Sequence, residues 1–155
     1  MEAPIDTLWE KSTAGGWAYR GTVTAFILLW TFTGMEKLLG YNSYLGEIKN
    51  QVFPMAWAEW IAPAVLVAEL GLALLLLAGP TRQLGLALSI LLMGVFATYI
   101  GLVWMGAFPR VPCSCAGFLE SMGWPAHFVF NSIFILAGLF GLLWKPKDRK
   151  TEHAT

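Results

Sequence analysis

The chain has 155 residues, of which 57% are hydrophobic and only 13% charged, and its formal net charge is zero. Soluble globular chains carry roughly 25% charged residues, so too little polar side chain is available here to cover a compact particle in water. Lipid is the environment that fits. The charge balance leaves no basic footprint for nucleic acid, and the eight Trp suit membrane–water boundaries.

The N-terminal stretch Met1 to Lys11 is polar and carries Glu2, Asp6 and Glu10. A cleavable signal peptide would begin basic and end at small residues, so the first apolar run is expected to stay in the protein. That run extends from about residue 17 to 39, with Arg20 near its start and Glu36 and Lys37 near its end. A second covers about 60–78 and stops at the turn pair Gly79-Pro80. A third covers about 84–108 and is stopped by Pro109 and Pro112. A fourth opens at Pro125, a favoured first helical position, and closes at Trp144. Each is long enough to cross roughly 30 Å of hydrocarbon at about 1.5 Å per residue. Runs such as Leu70 to Leu77 lack the polar face of a soluble bundle helix. The fold class expected is therefore all-α: a single four-helix integral membrane domain over residues 1–155, with a polar tail at 145–155. Between helices one and two, Tyr44, Leu45, Ile48 and Val52 form a helix-like apolar stripe, predicting an interfacial helix.

Four spans put both termini and the 79–83 turn on one side. Lys11, Arg20, Arg82, Lys145, Lys147, Arg149 and Lys150 belong to it, against Lys37, Lys49 and Arg110 opposite. The positive-inside bias predicts cytoplasmic termini in a bacterial inner membrane, with the 40–58 and 109–124 loops facing outward. The Gly residues at 71, 85, 94, 101, 138 and 141 read as close helix packing.

The chain's two cysteines, Cys113 and Cys115, share the second outward loop. Cysteines one residue apart bridge only through a small strained ring, which suits exchange better than permanent stapling. Arg110 nearby could favour a thiolate. An inert bridge or two plain apolar cysteines are the alternatives. Cys-x-Cys with His127 downstream could hold a soft ion such as Cu(I), but a full ligand set is absent and no metal is expected.

Glu69 lies near the middle of the second span, where an ionisable side chain is costly and needs a function or a polar partner. Two readings stay open: a carboxyl bonded to Ser89, Thr98 or Tyr99, or a proton- or quinone-related role. Lys37 and Glu59 sit at helix boundaries and read as interfacial anchors. His127 and Asn131, four residues apart, share one face of the fourth helix. They are candidates for proton carriage or for holding the cysteine loop in shape.

Gly34-Met35-Glu36-Lys37-Leu38, the carboxylate Glu69, Cys113-Ser114-Cys115-Ala116-Gly117, and Trp124 with Asn131 together resemble the DoxX-like superfamily. Within it they resemble the MauE-type membrane proteins linked to methylamine utilisation. Members more often read Cys-Gly-Cys-Phe-Gly at the loop; Ser114 and Ala116 replace the Gly and Phe here. The resemblance implies a four-helix membrane fold and extracytoplasmic thiol–disulfide chemistry at Cys113 and Cys115, alongside a periplasmic thioredoxin-like partner. The supporting residues are then Arg110, His127, Asn131, Glu69, Glu36 and Lys37. Electron exchange with a membrane quinone is a possible extension. The competing reading is a small non-catalytic subunit of a larger membrane complex.

Overall fold

A computed structural model of the chain describes residues 6–108 and 123–143, with side chains described from residue 15 onward. Five α-helices follow one another: α1 (Asp6–Leu39), α2 (Tyr41–Lys49), α3 (Met55–Leu77), α4 (Arg82–Trp104) and α5 (Trp124–Leu143). A single 3-10 turn, Gly79–Thr81, joins α3 to α4. Four apolar stretches are long enough to cross a bilayer: Gly15–Leu39, Met55–Leu77, Gly79–Trp104 and Trp124–Leu143. The chain is a multi-pass membrane protein of the all-α class.

The spans pack in the order α1–α3–α4–α5, with α5 closing against α1. Apolar side chains cover both the interior and the outside of this bundle: Phe26, Trp30, Leu76, Leu86 and Met93 are buried, whereas Leu28, Val67, Leu91 and Leu136 face outward. That all-round apolarity is what lipid requires and water forbids. Because lipid is as apolar as the core, close fit rather than water exclusion holds the spans together. Small residues provide the fit at three seams. Gly34 of α1 meets Leu70 of α3, Gly85 of α4 meets the α3 backbone at Leu75 and Leu76, and Gly138 of α5 meets Ile90 and Phe26. Gly101 and Gly141 also lie at contacts. Gly71 and Gly94 do not: a Cβ at either position would meet nothing within 4 Å.

Three helix boundaries differ from the sequence expectation, the first being that of α1, which starts at Asp6 rather than near residue 17. α3 starts at Met55 rather than near residue 60, capped by Pro54, whose carbonyl accepts the Trp57 N–H at 2.9 Å. α4 ends at Trp104, four residues before the expected 108. Gly106 takes a φ of 72°, the Gly106 N–H donates to Val103 O at 3.1 Å, and the Ala107 N–H donates to Leu102 O at 3.0 Å. This double bond around a left-handed glycine is a Schellman stop, so the helix ends before the prolines are reached.

The early start of α3 sets the geometry of one end of the bundle. α1 stops at Leu39 while the first turns of α3 run on past it, and α2 packs against this overhang. Tyr44 and Ile48 of α2 form a buried cluster with Ala58 and Ala62 of α3. Gln51, in the link that follows α2, is buried, and the Tyr99 hydroxyl of α4 donates to its Oε1. Phe53 stacks on the same Tyr99 ring at 5.6 Å. The α2 end of the bundle is thereby a packed layer placed over the end of α1.

Candidate functional site

Beneath this layer lies a cavity of about 260 Å³ bordered by all four spans and by α2. Its most polar feature is an ion pair. Glu69, 14 residues into α3 from Met55, accepts two hydrogen bonds from Lys37 Nζ, at 2.9 Å to Oε1 and 3.0 Å to Oε2. The same ammonium donates to Thr33 O at 3.4 Å, so its three N–H groups all have acceptors. The two side chains are only 11% and 2% exposed. A cation near the last turn of α1 also complements that helix's negative end, and the Tyr44 ring lies 5.7 Å from the ammonium. Two buried charges survive here because each neutralises and hydrogen-bonds the other.

This arrangement corrects two expectations. Lys37 is not an interfacial anchor, because α2 and the first turns of α3 extend beyond it. Glu69 does not rely on Ser89, Thr98 or Tyr99. Ser89 accepts the Trp30 indole N–H at 2.9 Å and donates to Gly85 O at 2.7 Å. Thr98 donates to Gly94 O at 2.8 Å, and Tyr99 is engaged with Gln51. Glu59 does lie at the surface, in an exposed pair with Lys49 at 3.7 Å; such pairs contribute little.

His127 and Asn131 border the same cavity from α5, opposite Lys37 and Glu69. The expectation that they share a face therefore has a structural counterpart, and that face looks onto the ion pair's chamber. Asn131 is only 2% exposed, and its Nδ2 has no hydrogen-bond partner among the described residues. Glu36 is half-buried one residue before Lys37 and is not among the cavity's walls. Arg110, Cys113 and Cys115 lie outside the described residues, as does the 145–155 tail. The segment that carries the cysteines leaves and rejoins the described chain beside the cavity. Phe108 sits 6.2 Å from the Tyr99 ring, and Trp124 is itself a wall residue.

Four aromatic walls were not singled out from sequence: Trp30, Phe53, Phe96 and Phe130. In a chain with 14% aromatic residues these four carry no distinguishing local pattern. Among the described residues no group of three or more His, Cys, Asp or Glu is placed to hold a metal ion.

No curated protein and no solved structure matches this chain. One family model does, and it covers residues 16–144: methylamine utilisation protein MauE. The match runs from the first turns of the α1 span to the residue after α5, and so takes in the ion pair, the cavity and the Cys-x-Cys segment together. The chain belongs to the MauE family.

Proposed function

We propose that the protein is a membrane thiol–disulfide relay in which Cys113 and Cys115 cycle between dithiol and disulfide. The observation that carries this reading is the sequence Cys113-Ser114-Cys115 in a MauE-family chain, in a segment flanked on one side by the cavity wall residue Trp124 and on the other by Phe108, whose ring lies 6.2 Å from that of the wall residue Tyr99. A thiolate of the partner attacks the Cys113–Cys115 disulfide, forming a mixed disulfide and releasing one thiolate of the pair, which takes up a proton. The partner's second thiolate then attacks the mixed bond, so the partner holds the new disulfide and this chain holds two thiols; the reverse exchange reoxidises this chain. A strained Cys-x-Cys ring makes both directions accessible. The partner of this reading is a periplasmic thioredoxin-like protein, and a disulfide-containing protein is matured as the outcome. In the same reading the chain resides in a bacterial inner membrane with both termini cytoplasmic and is a member of the wider DoxX-like superfamily.

Cys113 lies five residues beyond Phe108, a reach of at most about 18 Å. In this reading the pair works beside the cavity's polar groups. His127 is the group suited to exchange protons with the thiols; Lys37, Glu69 and Asn131 shape the chamber. The test is thiol trapping in membranes. The cysteine pair should switch between alkylatable and protected states with the redox poise, and Cys113→Ser should abolish oxidation of the thioredoxin-like partner. A pair that never changes state, or full partner oxidation by Cys113→Ser, defeats the proposal.

A further inference from the structure

We infer that the cavity is a binding site for a neutral quinone drawn from the bilayer, with the Asn131 amide donating to a ring carbonyl. Four features of the chamber select this chemistry. First, among the described residues its carboxylate and its ammonium are paired with each other. Lys37 and Glu69 cancel each other, and all three Lys37 N–H groups already have acceptors, so an anionic ligand would find no counter-charge and an uncharged one is favoured. Second, a buried amide donor without a partner is costly. Asn131 Nδ2 is such a donor, and the group it lacks is an acceptor oxygen, which a carbonyl supplies.

Third, the walls suit a flat ring. Trp30, Phe96, Phe130 and Tyr99 come from three different spans around one space of about 260 Å³. An apolar cavity of about 150 Å³ is enough to hold benzene, so a substituted six-membered ring fits with room for its carbonyls. A hydrocarbon tail would need neither the aromatic faces nor the amide. Fourth, the chamber has a side facing lipid. Val95 of α4 is both a wall residue and 57% exposed on the outside of a membrane span, which gives a lipophilic ligand a route in from the bilayer.

The inference deepens the relay reading, rests on it, and gives it a net direction: this chain's disulfide oxidises the partner, and the quinone reoxidises the resulting Cys113 and Cys115 dithiol. Oxidising the cysteine pair to one S–S bond releases two electrons and two protons. A quinone takes up two of each and leaves as quinol, so a dithiol and one bound quinone balance without another reactant.

The experiment measures binding rather than turnover. The purified full-length protein is placed in nanodiscs of synthetic phosphatidylcholine, and decyl-benzoquinone is titrated while tryptophan fluorescence is followed, since Trp30 and Trp124 border the cavity. The expected result is saturable quenching near one quinone per chain. Asn131→Leu should weaken it at least tenfold, and Val65→Phe, which fills the chamber from α3 without touching the amide, should remove the saturable phase. The Cys113→Ser/Cys115→Ser double variant should bind as the parent does, so failure of the relay and failure of this site give different results. Linear, unsaturable quenching overturns the inference. So does parent-like binding by both cavity variants, or equal displacement by decylbenzene, which has the ring and tail but no carbonyl.

Discussion

The Lys37–Glu69 pair is held by two short hydrogen bonds inside a bundle that offers almost no other charge. Removing one member of such a pair strands the other, whereas removing both relieves the desolvation cost of each. Lys37→Met should therefore destabilise the fold by about 3–5 kcal/mol, the range for breaking a buried pair, and Lys37→Met/Glu69→Leu should recover most of that loss. Unfolding by detergent titration, comparing the single and double variants, measures both. A double variant no more stable than the single would mean that the pair contributes nothing as a unit. Glu69 was recognisable from sequence because a carboxylate in the middle of an apolar run stands out. Its partner was not, because Lys37 falls two residues before the end of α1 and so looked superficial. What hid it was the overhang of α3: at about 1.5 Å per residue, Glu69 stands about 21 Å from the start of its helix, and α2 covers the space above Lys37. Depth along one helix can be read from sequence; the axial offset between two helices cannot. The same limit hid Gln51, a loop residue whose burial depends on Tyr99 of α4 reaching it.

At the scale of the helix, the four spans were legible because length and unbroken apolarity report a membrane crossing directly. Their seams were less so. Of the six glycines read as packing positions, Gly71 and Gly94 face open space, while Gly34, a seam residue, stood out only as part of a motif. Glycine content reports that close approach occurs, but facing depends on the rotation of each helix, which lipid-exposed and buried apolar residues fix equally poorly. The seams make a direct test. A Cβ at Gly138 would lie 2.6 Å from Ile90 Cγ1 and 3.2 Å from Phe26 Cε2, whereas Gly94 has no neighbour within 4 Å. Gly138→Val should cost about 1–3 kcal/mol through overpacking and Gly94→Val should change stability by less than about 0.5 kcal/mol, as for a surface substitution. Thermal unfolding in one detergent distinguishes them, and equal losses would refute the assigned seam.

For the whole molecule, the packing order places the start of α1, the Gly79–Thr81 turn and the end of α5 at one end, with α2 and the cavity at the other. The structure sharpens the charge argument for orientation, because Lys37 no longer counts as a loop cation: it is buried and neutralised by Glu69. Lys49, in its exposed pair with Glu59, and Arg110 by its place in the sequence are the cations of the α2 end. The turn end keeps Arg20 and Arg82, and its sequence flank adds Lys11, Lys145, Lys147, Arg149 and Lys150. Arg82 also donates to Leu76 O at 3.0 Å, closing the end of α3 with no carboxylate partner among the described residues. The excess of Lys and Arg at the turn end is the bias on which the proposed orientation rests. In a Cys113→Ser/Cys115→Ser background, Asn42→Cys on the exposed side of α2 should react with a membrane-impermeant maleimide in intact spheroplasts. Gly79→Cys, exposed at the turn, should react only after the membrane is opened. The reverse pattern would invert the molecule and put its cavity end in the cytoplasm, where thiols are kept reduced, removing the setting on which the relay depends.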